Sequence, residues 1–184
     1  MRNAINFVAF QLVWFAAVGG AAHSLWWAGP AAFLVFAAYH LRRGVRARGD
    51  LRLMVLALGL GFVTDTLMAA TGMSSYSSAV PPAPLAPLWI LSLWAGFAFT
   101  LNHSMHWLTA RPLLVSPLAA ILGPLSYYGA SRVWGAVTIT APLMHAVGLL
   151  GLCWLLSMAV LSLAARRFAR APDDSVAMPL MRSP

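Results

Sequence analysis

Long apolar stretches, separated by short polar or proline-rich segments, occupy most of this chain. Runs such as LMVLALGLGFV are apolar on every side of a helix, whereas a helix on the surface of a soluble domain keeps one polar face. The strands of a membrane barrel would instead alternate apolar and polar residues over segments of about ten. We therefore predict an all-α fold, a polytopic transmembrane helical bundle of about six spans, at approximately residues 4–26, 27–42, 52–72, 88–109, 112–130 and 138–165.

The segments between and after these spans fit a single integral membrane domain that covers residues 1–184. Residues 73–86 carry no charge and are rich in Ser and Pro. They indicate a loop over the outer face, because proline disrupts a regular helix. Residues 166–184 are polar and contain prolines, so we expect a loose cytoplasmic tail.

The composition agrees with a membrane location. Hydrophobic residues make up 61% of the chain and charged residues only 9%, whereas a soluble domain carries about a quarter charged residues. All 12 basic residues are Arg, and nearly all of them flank predicted helix ends on one side, as in cytoplasmic loops of membrane proteins. We therefore predict a multi-pass protein of the bacterial cell inner membrane, with both termini cytoplasmic and no nucleic-acid partner.

One predicted span carries an unusual set of polar residues. The stretch PLWILSLWAGFAFTLNHSMHWLTAR, residues 87–111, is long enough to cross a bilayer, yet its second half contains Asn102, His103, Ser104 and His106. Hydrogen-bonding groups are costly in lipid and usually face a protein interior or a cavity. We therefore predict a polar intramembrane site with Asn102, His103 and His106 as candidate catalytic residues. In a continuous helix, Asn102 and His106 would share one face.

Asp65 is the only acid within a predicted span, where an Asp costs about 2.5–3.5 kcal/mol. It fits a proton carrier, a general acid or base, or a ligand for a cationic group; a hydrogen-bonded lock between helices is the structural alternative. At about 1.5 Å per residue, Asp65 lies roughly 20 Å from the cytoplasmic end of its helix, Asn102 roughly 13 Å, and Tyr127 and Tyr128 roughly 22–24 Å. These depths predict one shared polar layer, with Asp65 as a further candidate catalytic residue.

Several other side chains are candidates for substrate binding. Gln11 lies on the first span at a depth that can meet the polar residues of the fourth, and tryptophans of the fourth span can wall a lipid-sized cavity. The candidate substrate-binding residues are Gln11, Trp89, Trp94, Tyr127 and Tyr128.

The histidines offer two cofactor hypotheses. His103 and His106 can supply two metal ligands, but a metal site needs a third, and only His40 falls at a similar depth. The pairs His23/His145 and His40/His106, near opposite membrane faces, have the arrangement of a bis-histidine haem protein. Histidines that meet water or lipid at the interfaces explain the same pairs more simply. We therefore predict no metal site and no cofactor.

The segments INFVAFQLVWFAAV, TDTLM and PLWILSLWAGFAFTLNHSMHW together resemble an uncharacterised family of small polytopic bacterial inner-membrane proteins of unknown function, over nearly all of residues 3–165. The resemblance implies an association with gene clusters that modify fatty acids, which include cyclopropane-fatty-acid-synthase-like methyltransferases and flavin amine oxidases. It implies no catalytic residues. A more distant likeness to lysoplasmalogenase-type membrane hydrolases concerns the Asp followed closely by Leu, but this chain is two predicted spans shorter.

Two functions from different classes remain open. The first is a lipid- or fatty-acid-modifying enzyme, or the membrane partner of one, in which Asp65, Asn102 and His106 line a cavity open to lipid. The second is a small proton-coupled transporter with Asp65 as its titrating group. A structural subunit of a membrane complex is a third alternative. We predict membrane lipids as partners, together with membrane proteins that the sequence does not identify.

Overall fold

The computed structural model describes residues 2–42 and 45–170. Within this part of the chain helices dominate, so the predicted all-α class is confirmed. A π-helical turn at Ala130–Trp134 continues the sixth helix. The seven α-helices are α1 (Arg2–Ala22), α2 (Ala28–His40), α3 (Asp50–Ala70), α4 (Leu88–Leu101), α5 (His106–Thr109), α6 (Pro112–Gly129) and α7 (Leu143–Arg170).

Four helices are long and apolar enough to cross a membrane, namely α1, α3, α6 with its π-helical continuation, and α7. They indicate a multi-pass membrane protein. Helices α2 and α4 are also apolar but have only 13 and 14 residues, whereas a helix needs about 20 to cross the hydrocarbon core. Two of the six predicted spans are therefore shorter than a full crossing.

The outer surface of the helices is apolar. Only 33–39% of the most apolar 18-residue window of each long helix is buried inside the structure. Side chains such as Val35 and Leu113 point outward and are 74% and 93% exposed. An apolar exterior of this extent is unfavourable in water and suits a lipid environment, because soluble monomers expose only small apolar patches.

The fourth predicted span, residues 88–109, is interrupted. Helix α4 ends at Leu101, and Asn102 leaves the helical conformation with φ −90° and ψ 0°. The chain then turns, and the N–H groups of His103 and Met105 donate to the Thr100 carbonyl over 3.0 and 2.9 Å. Helix α5 begins only after this turn, so the polar residues at 102–106 do not follow the two faces of a continuous helix.

A small two-stranded antiparallel sheet, which we did not predict, lies beside the helices. Strand β1 (Ser74–Tyr76) pairs with β2 (Val137–Ile139), with Tyr76 opposite Val137. Each strand has three residues, too few for a recognisable alternation of apolar and polar positions. The rest of the predicted loop, residues 77–86, contains neither helix nor strand.

Helix α7 has the length of the predicted span 138–165 but lies five residues further along the chain. It continues to Arg170, so residues 166–170, expected in a loose tail, are helical, while residues 171–184 lie outside the described part of the chain. Phe168, near the end of α7, packs against Gly49 just before α3. The Arg52 guanidinium lies 5.8 Å from the centre of the Phe168 ring. The start of α3 and the end of α7 therefore lie together.

The helices pack in sequential pairs, α1 with α2, α3 with α4 and α6 with α7. Helix α4 also packs against α1 and α2, and α3 packs against α7. At the centre, Trp94 of α4 stacks on Trp154 of α7, with ring centroids 4.6 Å apart. Two glycines make room for these rings. A Cβ on Gly61 would lie 2.2 Å from Trp94 Cγ, and one on Gly123 would lie 2.3 Å from Trp154 Cγ.

We expect Gly61→Ala to lower the free energy of unfolding by about 1–3 kcal/mol, because the added methyl group displaces the Trp94 indole. Gly59→Ala on the same helix is the control, since a Cβ there meets no atom within 4 Å and Ala favours a helix interior by roughly 1 kcal/mol. Thermal unfolding of both purified variants in detergent measures the difference. Equal stability of the two variants would contradict this packing.

Candidate functional site

Two buried carboxylates occupy opposite ends of α3. Asp50 is its first residue and Asp65 lies near its other end, roughly 22 Å away at about 1.5 Å per residue. Both side chains are 0% exposed. Each gathers polar side chains from other elements, and the two groups are the Asp65 cluster (Asp65, Tyr76, Trp94, Tyr127) and the Asp50 cluster (Asp50, His40, Asn102, His103).

The Asp65 carboxylate accepts hydrogen bonds from three different elements. The hydroxyls of Tyr76 on β1 and Tyr127 on α6 donate to Oδ1 over 2.9 and 2.8 Å. The indole N–H of Trp94 on α4 donates to Oδ2 over 2.8 Å. All three donors are uncharged, and together they satisfy a carboxylate that water does not reach. The cluster therefore ties α3, α4, α6 and β1 to one buried group.

Tyr76 lies outside the membrane-spanning helices, and its phenol stays protonated. Burial and the neighbouring Asp65 carboxylate raise the pKa of Tyr76 far above its usual range, because a second negative charge there would be both desolvated and repelled. Tyr76 therefore remains a hydrogen-bond donor across the physiological pH range. The small sheet therefore positions the Tyr76 hydroxyl against Asp65.

The Asp50 carboxylate accepts hydrogen bonds from four groups. Nε2 of His40 and Nε2 of His103 lie 3.0 and 3.2 Å from Oδ2. The backbone N–H of Ala47 donates to the same oxygen over 2.7 Å, and the Asn102 amide donates to Oδ1 over 2.9 Å. The two imidazole rings contact each other with centroids 4.3 Å apart. This cluster joins the end of α2, the start of α3 and the turn after α4.

Asn6 of α1 supports the Asp50 cluster and sets the tautomer of His40. Its Nδ2 donates to the Phe99 carbonyl over 3.1 Å, and its Oδ1 accepts from the Ser104 hydroxyl over 2.7 Å and from the Ser104 N–H over 3.4 Å. These partners orient the amide, so that Nδ2 faces Nδ1 of His40 at 3.5 Å. Nδ1 of His40 is then an acceptor, and Nε2 carries the proton that it donates to Asp50.

His40, Asp50 and His103 are also three residues of types that bind metals. Their ligand atoms all lie within 4.8 Å of one another, and three such ligands with one open position occur in catalytic zinc sites. A metal bound to Nε2 would require the His40 proton on Nδ1, where it would face the Nδ2 hydrogens of Asn6. Hydrogen bonding therefore suits this cluster better than metal ligation, and the predicted lack of a metal site stays a prediction.

A large apolar groove lies between α1, α4, α6 and α7. Its volume is about 450 Å³, within the range of about 300–1,000 Å³ for small-molecule sites. Its rim includes Phe7 and Phe15 of α1 and Leu122 of α6, which are 52%, 51% and 57% exposed. The groove therefore opens sideways, between α1 and α6. Four predicted substrate-binding residues line it, namely Gln11, Trp89, Trp94 and Tyr127.

A polar cleft of about 730 Å³ lies beside the Asp50 cluster. Asn102 and His103 contribute to its wall while they also bond to Asp50. The cleft is more open than the apolar groove and brings basic and amide side chains together. Its lining residues are Arg2, Asn3, Val45, Arg46, Ala47, Asn102 and His103.

The structure separates the residues that we predicted to share one layer. Asp65 and Tyr127 do lie together, as their similar depths on α3 and α6 indicated. Asn102 and His103 instead belong to the Asp50 cluster, near the other end of α3. His106 follows the break after α4 and is exposed. A depth along a helix says nothing about the direction in which a side chain points, and the break changes that direction.

Tyr128 does not join the predicted polar layer. Its side chain is exposed, and the Arg132 guanidinium lies 5.4 Å from the centre of its ring, because neighbouring residues of a helix point in different directions. His40 contacts His103 within the Asp50 cluster, whereas His106 is exposed, so the structure gives the haem hypothesis for His40 and His106 no support.

Asp50 and Asn6 were not predicted as site residues. Asp50 lies between Arg48 and Arg52, and an acid within a basic loop is usually a solvated partner of those charges. Its position directly before a long apolar run, where a helix begins among other helices, is the signal that distinguishes it. Asn6 carries no comparable signal, because an amide inside an apolar segment more often joins helices than marks a site.

The helices and the two clusters define a class, a multi-pass membrane protein with a buried polar Asp/His cluster. The model of the family described as "Protein of unknown function (DUF2878)" matches residues 3–160, and the chain belongs to this family. No curated protein and no solved structure matches the chain.

We expect Tyr127→Phe to lower the free energy of unfolding by about 1–3 kcal/mol, because it removes a donor from a buried carboxylate. Tyr128→Phe is the matched control: Tyr128 is exposed, and the change should stay within about 0.5 kcal/mol. Unfolding of both variants in detergent provides the comparison. A loss that is the same for both variants would argue against the Asp65 cluster.

Proposed function

We propose that this protein is a multi-pass protein of the bacterial cell inner membrane that binds the acyl chain of a lipid. We further propose that it takes part in lipid or fatty-acid modification, as an enzyme or as the membrane partner of one. The apolar groove is the observation that carries this proposal. Its aromatic and aliphatic lining suits an acyl chain, because each buried CH₂ group contributes about 0.8 kcal/mol.

The position of the opening supports a lipid over a water-soluble ligand. Exposed Phe7 and Phe15 form one side of the opening and Leu122 the other. They belong to the apolar exterior of α1 and α6, which lipid covers in the proposed arrangement. A chain can therefore enter the groove from the bilayer without passing through water.

The proposed topology has six apolar helices that cross the membrane, with both termini on the cytoplasmic side. The Asp50 cluster and Asn6 support it, since they place the starts of α1 and α3 beside the ends of α2 and α4. Phe168 adds the end of α7 to the same side. Arg42, Arg46 and Arg48, between α2 and α3, lie at this end, so the positive-inside rule assigns it to the cytoplasm.

The two short helices fit this topology through their flanking segments. Helix α4, the turn and α5 together occupy residues 88–109, which is as long as the predicted span, while α2 is preceded by Trp26 and Trp27. Tryptophan rings favour the headgroup region. In the proposed membrane, α2 and α4 each cross together with a non-helical segment that lies in the interface or is enclosed by protein. Non-helical backbone is tolerated there because its polar groups are not exposed to lipid.

The alternative of a proton-coupled transporter has less support. Asp65 lies behind Trp94 and Tyr127, which form part of the groove wall and donate hydrogen bonds to it. A proton path needs a chain of polar groups or water, whereas the groove in front of Asp65 is predominantly apolar. We therefore favour a structural role for Asp65, in which its carboxylate holds the Trp94 and Tyr127 side chains in position in the groove wall.

Gln11 is the polar residue of the groove lining that is best placed to position a ligand. The hydroxyl of Tyr127 already donates to Asp65, and the indole N–H of Trp154 is buried and not exposed to the groove. His106, being exposed, has no part in this proposal.

Leu118→Trp should lower the amount of lipid that the purified protein retains by several-fold, because the larger side chain fills the groove that Leu118 lines. Leu113→Trp is the matched control, the same change on the same helix at a position that is 93% exposed. Bound lipid is counted by native mass spectrometry after identical detergent washing. Equal retention by the two variants would overturn the assignment of the groove.

The same variants test whether binding serves lipid modification. A strain without the gene is complemented with wild type, Leu118→Trp, Leu113→Trp or Asp65→Asn, and its fatty-acid and headgroup profiles are compared at equal membrane levels of protein. We expect one lipid class to change in the deletion strain and to be restored by wild type and Leu113→Trp, but not by Leu118→Trp. An unchanged profile in every strain would overturn the role in modification.

A further inference from the structure

The face of α1 that lines the apolar groove continues into the polar cleft. Asn3 lines the cleft, whereas Phe7, Phe10, Trp14 and Val18 line the groove. Successive members of this series are three or four residues apart, so they form one face of the helix. The cleft and the groove are therefore consecutive parts of a single surface along α1.

The turn after α4 forms the boundary between the two parts. Thr100 and Met105 line the groove, while Asn102 and His103, which lie between them in sequence, line the cleft. The Met105 N–H donates to the Thr100 carbonyl over 2.9 Å and closes the turn, and the Met105 sulfur lies 3.2 Å from the Thr100 hydroxyl. One elongated molecule along α1 would thus meet apolar side chains over most of its length and polar ones at its end.

The dimensions fit one leaflet of a bilayer. Between Phe7 and Val18, α1 rises roughly 16 Å at about 1.5 Å per residue. This is about half of a hydrocarbon core roughly 30 Å thick, and so it matches the depth to which the acyl chains of one leaflet reach. The headgroup of such a lipid falls at the level of Asn3 and the cleft.

The cleft carries groups that recognise an anion. Arg2 and Arg46 bring guanidinium groups, whose planar array of N–H donors matches the oxygens of a phosphate or carboxylate. Asn3 adds an amide, whereas Asn102 already donates its two N–H groups to Asp50 and to the Arg48 carbonyl. Asp50, the acid beside the cleft, is 0% exposed and its oxygens are hydrogen-bonded, so it does not occupy the open surface that a ligand would meet.

His103 adds a directed polar group to this wall. Its Nε2 is engaged by Asp50 at 3.2 Å, and its side chain is 11% exposed. Nδ1 is then the ring nitrogen that remains for a ligand in the cleft, and in the neutral ring it accepts a hydrogen bond from a hydroxyl group of the headgroup. The Asp50 bond fixes the orientation of the ring, and a fixed ring loses less entropy when a ligand binds.

We propose that the polar cleft binds the anionic headgroup of the same lipid whose acyl chain lies in the apolar groove. This inference rests on the proposed function and narrows the ligand to lipids with a negatively charged headgroup. Arg46 and His103 contact the headgroup, and the turn after α4 separates it from the chain. A phosphate group that is not part of a lipid shares the same chemistry, and the experiment below distinguishes the two sources.

The test offers the purified full-length chain an equal mixture of phosphatidylglycerol and phosphatidylcholine with identical acyl chains. Native mass spectrometry then counts each retained lipid. Wild type should retain more phosphatidylglycerol, and Arg46→Gln should reduce this preference by about two- to fivefold, as expected for one partly exposed ion pair. Arg132→Gln is the control, a basic residue whose guanidinium lies over Tyr128 and outside the cleft.

Each outcome decides between the two levels of the proposal. The headgroup site is overturned if the preference for phosphatidylglycerol survives Arg46→Gln, or if Arg132→Gln reduces it equally. In either case the groove assignment stands as long as total lipid is retained. Loss of all lipid from wild type overturns the proposed function itself. Leu118→Trp tests for a phosphate that is not part of a lipid. If this variant loses phosphatidylglycerol but still binds inorganic phosphate through Arg46, the cleft is a separate phosphate site. The inference that both parts bind one lipid then fails.

Discussion

A carboxylate that is buried among apolar helices must receive hydrogen bonds from the protein, because neither water nor lipid can supply them. Helix α3 carries two such carboxylates, and much of the arrangement of the bundle follows from the hydrogen-bond donors that they require. Asp65 draws its donors from α4, α6 and β1, while Asp50 draws them from α2, the loop before α3 and the turn after α4. Association of apolar helices in lipid gains little from the hydrophobic effect, so these directed bonds specify which helices are neighbours.

The helices themselves were predictable because each long apolar run is a strong and local signal. The contact between Asp65 and Tyr127 could also be predicted, because the rise per residue of a helix gives the depth of each residue in the membrane. The predicted layer is wrong for Asn102, because the chain leaves the helix at this residue and tertiary hydrogen bonds then decide where its side chain points. The sheet and the role of Asp50 depend on contacts between distant segments, which no local pattern of residues encodes.

The groove and the two clusters form one connected arrangement. Trp94 and Tyr127 belong both to the groove wall and to the Asp65 cluster, so any ligand in the groove contacts side chains that Asp65 holds in place. The other end of the groove stops at the turn that carries Asn102 and His103. A site built in this way has rigid walls: Gly61 and Gly123 let the tryptophan pair fit closely against α3 and α6, and packed aromatic rings resist rearrangement.

The order in which the partners of Asp65 appear along the chain has a consequence for membrane insertion. Tyr76 follows Asp65 by 11 residues, Trp94 by 29 and Tyr127 by 62. A ribosome that makes the chain from its N-terminus therefore delivers α3 with its carboxylate unsatisfied and supplies the donors one after another. Until α6 has been synthesised, the growing protein holds a helix that is one donor short. The buried carboxylate of α3 is therefore fully hydrogen-bonded only after the second half of the protein has been made.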